Sequence, residues 1–225
     1  MASFRIRIED IIGEVLSLGS DNSSATDQAV TDALTDTAAE IFNLLPDDIL
    51  LPFAVASSDA TSNPVINDIE NARIVGAERK NGDDAQTSQY ITCKYVDNTL
   101  KAKLIHPNSI YFATKEDPVW LINNKDLEVY PEPGSGSTYA SNAARAYTVT
   151  SPTVVQTDSA ISIFPNEIEH AVVLGASARL KQRQITFYNE DEDSELVALH
   201  RAQYQDLQQK YKDALAPFIK SSKDA

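Results

Sequence analysis

Val119-Trp120-Leu121-Ile122, the turn Asn123-Asn124-Lys125 and then Leu127-Glu128-Val129-Tyr130 read as a β-hairpin, because two runs of strand-forming residues flank a polar turn. Pro131-Glu132-Pro133-Gly134-Ser135-Gly136-Ser137 follows, and its prolines and glycines end the strand pair. The same β-branched and aromatic texture extends outward in both directions. Upstream lie Ala72 to Glu78, the turn Asn81-Gly82, Tyr90 to Val96, the turn Asp97-Asn98 and Ser109 to Ala113; downstream lies Ala146 to Val155. Residues 67–155 are therefore expected to form a small antiparallel β domain.

On either side the period changes from two to 3.6. After a short amphipathic segment, Ile8 to Leu18, and a polar break at Gly19 to Ser24, Val30, Leu34, Thr37, Ala38, Ile41, Leu44 and Leu45 recur at helical spacing within Thr26 to Leu45. Pro46-Asp47-Asp48 suits the first turn of a short second helix, which Pro52 limits. Pro165 and Glu167 open a helix running to about Phe187, on which Ala171, Gly175 and Ala178 share a face that lets another helix come close. The acidic loop Glu190-Asp191-Glu192-Asp193 leads to Ser194, a candidate N-cap for a last helix to about Ala216, so that the two make an αα-hairpin. Val197, His200, Tyr204, Leu207, Tyr211, Ala214 and Phe218 form a seam on that helix for packing on other helices, and residues 220–225 form a frayed tail. The expected fold is α+β: a helical bundle, from N-terminal helices (1–66) and a C-terminal helical hairpin (156–225), with the β domain inserted between them.

Composition narrows the function. The chain of 225 residues has 42% hydrophobic residues, enough to fill a core, and its 19 Lys+Arg against 33 Asp+Glu give a formal charge of −14, contrary to a surface built to neutralise phosphates. The one cysteine, Cys93, excludes an intrachain disulfide and is expected as a buried structural thiol. Residues 1–10 lack the apolar core of a signal peptide, and apolar runs such as Ile49 to Ala56 fall far below the roughly 18 residues that span a bilayer. A protein that stays in the cytoplasm until it is assembled is expected.

The strongest catalytic pattern is Glu167-Ile168-Glu169-His170, since Glu-x-x-His on a helix can aim a carboxylate and an imidazole at one metal. A di-metal bundle needs a second copy, however, and His200 has Val197 three residues before it. No Gly-x-Ser-x-Gly elbow accompanies the three histidines, and the 7 glycines form no phosphate loop. Tyr90, Lys94, Tyr95, Lys101 and Lys103 are the nearest approach to a nucleic-acid stacking surface, but in an acidic chain they read as an ordinary half-exposed sheet. Tyr204 and Tyr211 fit either an interface or the subunit's own core. No catalytic residue, metal site or cofactor is expected.

Three stretches, Pro107 to Thr114, Asp117 to Asn124 and Leu127 to Pro133, resemble virion proteins that join the portal to the tail in tailed bacteriophages. So do Phe164 to Ala176, the acidic loop with its Tyr- and Gln-rich closing helix, and the helix ending at Leu45-Pro46-Asp47. The larger β insert and the linker 131–145 depart from compact helical adaptors. The resemblance implies a structural head-to-tail connector in the virion neck, assembled in the host cytoplasm. It also implies a ring, usually twelve-fold, that docks on the portal through its C-terminal segment, meets a downstream tail or nozzle protein and passes DNA without specific binding. On that basis the portal-facing residues are expected to be Leu207, Tyr211, Leu215, Pro217 and Phe218, and the subunit contacts to lie around Trp120 and Tyr130. The competing readings are a tail terminator or other neck ring, a metal-dependent bundle enzyme centred on Glu167 and His170, and a monomeric binding domain.

Overall fold

The structure, a computed structural model, describes residues 2–13, 27–69, 72–81, 89–134, 143–190 and 194–220. Several sequence expectations lie outside these residues: the second half of the Ile8 to Leu18 segment, the break at Gly19 to Ser24, Gly82, most of the linker after Gly134, three residues of the acidic loop and the tail beyond Lys220. The chain divides into a helical unit, residues 1–46 with 151–225, and a sheet unit, residues 47–150.

In the helical unit, α1 (Phe4–Ile12) buries Phe4, Ile8 and Ile12 at helical spacing and ends at Gly13, whose φ of 73° is the left-handed region that glycine enters without a Cβ penalty. Its first amides are held by the segment ahead of α5: Phe4 N–H donates to Asp158 O (2.8 Å) and Arg5 N–H to Gln156 O (3.0 Å). The expected N-terminal helix is α2 (Asp27–Leu44), with Val30, Leu34, Thr37, Ala38 and Ile41 all buried. α5 (Asn166–Glu190) is buried nearly all round from Ile168 to Lys181 because α1, α2 and α6 (Ser194–Lys220) all pack on it. The face of small residues is what permits this. A Cβ built on Gly175 would lie 2.5 Å from Thr37 Cγ2 on α2 and 3.0 Å from the Tyr211 ring on α6. Beside it, Leu174, Ala178 and Leu207 form a cluster against which Tyr204, Tyr211 and Ala214 pack. α6 continues through Pro217, past the expected end at Ala216, although proline lacks the N–H that would bond the carbonyl four residues back.

The sheet unit opens with α3 (Asp47–Leu50) and one 3₁₀ turn, Leu51–Phe53, containing Pro52. Strands β1 (Val55–Ala56), β2 (Ala72–Lys80), β3 (Tyr90–Thr92) and β7 (Ala144–Thr150) make an antiparallel sheet in the order β1-β7-β2-β3, with an irregularity between Ile74 and Gly76. A second sheet has the order β4-β5-β6, from β4 (Lys94–Tyr95), β5 (Val119–Asn123) and β6 (Asp126–Tyr130). β5 and β6 are the expected hairpin, closed by Asn124 and Lys125 at φ 57° and 71°. β4 runs parallel to β5. The fold class is thus α+β, with helices in one unit and mainly antiparallel sheets in the other.

Three local expectations are corrected. Tyr90 to Val96 is not one strand: the chain leaves the first sheet at Cys93, whose amide donates to Ala77 O (2.8 Å), and joins the second at Lys94. The expected turn at Asp97-Asn98 is a 3₁₀ turn: the Asp97 side chain accepts from Thr99 N–H and caps it, and the chain leads on into α4 (Lys101–Leu104). Ser109 to Ala113 is no strand but successive turns, with Ser109 N–H donating to His106 O and Phe112 N–H to Ser109 O. Of the stretch Ala146 to Val155, residues beyond Thr150 leave the sheet.

Gly175→Ala is expected to destabilise the protein by about 1–3 kcal/mol, as overpacking does. Thr37→Ser, which removes the nearer methyl, should recover part of that loss. A double-mutant cycle by urea denaturation measures both.

Candidate functional site

The Glu-x-x-His pattern does not form a ligand pair. Glu167 and His170 are both exposed on the first turns of α5, while Glu169 between them is buried. Glu169 Oε1 accepts from Ile161 N–H (2.6 Å) and Oε2 lies 3.5 Å from Arg7 Nη1, so this carboxylate fastens the start of α5 to α1 and the preceding segment. Among the described residues no group of three His, Cys, Asp or Glu side chains is placed to hold a metal ion. Cys93 is buried, as expected, and burial pushes its thiol up to about 12.

A polar cluster between α5 and α6 escapes the sequence reading. Lys181 is completely buried with Nζ 3.4 Å from His200 Nδ1, and the imidazole stacks on Tyr188 with ring centroids 5.1 Å apart. The available signal was spacing: Lys181 follows Ala178 by three, on the same buried face, and His200 belongs to the α6 seam.

The residues nearest to a nucleic-acid stacking surface are dispersed into ion pairs. Lys94 pairs with Asp117 (2.6 Å) and Lys101 with Glu128 (2.7 Å). The Tyr90 ring is covered by the Arg145 guanidinium at 3.8 Å, and its hydroxyl donates to Asp59. Lys101 and Lys103 stand on α4 instead of a strand.

Of the residues expected to face the portal, Leu207 and Leu215 are 5% and 4% exposed within the helical unit. Tyr211 is half-buried against Gly175; burial first, and the nearby Glu40 carboxylate next, raise its phenol above the usual range. Pro217 is exposed and Phe218 half-buried. Trp120 and Tyr130, expected at subunit contacts, are 9% and 4% exposed. Each supports a more exposed neighbour or wall: Tyr95 tilts on Trp120 with centroids 4.8 Å apart, and Tyr130 lines a groove of about 490 Å³ with Leu104, Ile105 and Phe112. Exposed large apolar side chains gather in sequence here, at Ile105, Ile110, Tyr111 and Phe112, with Ile110 at 92%; Leu51, Val55, Tyr95 and Ile122 are exposed elsewhere in the sheet unit.

Glu128 ties this region together. Burial alone would raise its carboxyl, but hydrogen bonds from Asn123, Lys101 and Tyr130 outweigh burial and hold it below the usual carboxylate range. A depressed folded-state value contributes stability above the unfolded value of 4.5 that is lost as pH falls through the folded one. Glu128→Gln should therefore cost about 1–2 kcal/mol at neutral pH. The gap from wild type should close in acid, as read by urea denaturation across that range.

No helix of the described residues is long and apolar enough to cross a membrane. A search of curated proteins returned no match. The family model described as SU10 adaptor protein matches residues 6–223, which takes in most of α1, both sheets and the whole of the closing helix. Helical hairpin, inserted sheets and exposed apolar turn are thus parts of one family unit, and the chain belongs to the SU10 adaptor proteins, the head-to-tail adaptors of tailed phages.

Proposed function

We propose that this phage structural protein carries out no chemistry and acts as one subunit of a ring, twelve-fold in the assembled neck, between the portal and the downstream tail or nozzle protein. The observation that carries the reading is the family match over residues 6–223. Charge supports it, because a channel wall built from copies of a chain with formal charge −14 repels DNA and lets it slide without sticking. The ion pairs of Lys94 and Lys101 support it too, since those cations are already committed to carboxylates.

In this reading Leu207, Tyr211 and Leu215 hold the end of α6 in place, and the outer surfaces of Pro217 and Phe218 touch the portal. Trp120 and Tyr130 act in subunit contacts from below, as the buried support of the exposed shell. Electron microscopy of the protein mixed with portal particles tests the ring: a closed annulus on the portal is expected, and particles left bare at saturating protein would overturn it. Pro217→Asp, at an exposed position, should lower portal binding at least tenfold, of order 1.4 kcal/mol, without lowering the thermal midpoint of the isolated subunit.

A further inference from the structure

We draw no further inference here: the strongest candidate, the groove of the sheet unit beside the exposed apolar turn 105–112, is lined by Arg79 and Lys115 as well as Glu116 and Glu132, and nothing in the structure shows what covers it.

Discussion

The missing side chain at Gly175 is the constraint on which the helical unit rests. Thr37 of α2 and Tyr211 of α6 approach the same point of α5 so closely that a Cβ there would meet both. Two helices can press on one position only if that position has almost no volume, and the neighbouring Ala171, Ala176, Ser177 and Ala178 extend the same condition along the helix. α5 thereby becomes a helix buried nearly all round through its first half. The fastening of its start by Glu169, Arg7 and Ile161 follows from the same crowding, because a carboxylate enclosed there needs partners.

That packing decides which surfaces remain for assembly. The seam of α6 is largely used against α5, with Leu207 and Leu215 enclosed, so the helical unit satisfies most of its own apolar surface. Among its described residues it leaves Ile6, Leu44, Val155 and Leu199 exposed, and on the last turn Pro217 exposed and Phe218 half-buried. The sheet unit behaves differently. It encloses Trp120, Leu127 and Val129 in one cluster and Leu104, Val119, Leu121 and Tyr130 in another, yet presents Ile105, Ile110, Tyr111 and Phe112 to solvent. Apolar residues displayed together on an irregular turn contribute nothing to the core of their own subunit. They are the kind of surface that an adaptor, whose role is contact with other head and tail proteins, has reason to keep.

Where the sequence was legible, the signal was local. The β5–β6 hairpin follows from strand-forming runs around a polar turn, and α2 from its repeat of apolar residues. The face of Ala171, Gly175 and Ala178 was visible from spacing alone, including its consequence. The misreadings share a cause as well. Ser109 to Ala113 has strand-like residues, but Pro107 and Asn108 start turns before it and nothing pairs beside it, so propensity without a partner gave no strand. Tyr90 to Val96 reads as one run, and only tertiary pairing reveals that Cys93 passes the chain between two sheets. Lys181 with His200 was hidden because a lysine is ordinarily read as surface, and its burial depends on a helix arriving from later in the chain.

The central claim is that helix packing is completed within each subunit, while assembly uses the exposed turn of the sheet unit and the last turn of α6. Hydrogen–deuterium exchange of the free subunit and of the ring assembled on portal particles tests this directly. The account predicts amides of residues 171–178 strongly protected already in the free subunit and unchanged on assembly, with new protection confined mainly to residues 105–116 and the end of α6. Weak protection of 171–178 in the free subunit that rises sharply on assembly, with residues 105–116 unchanged, would contradict it.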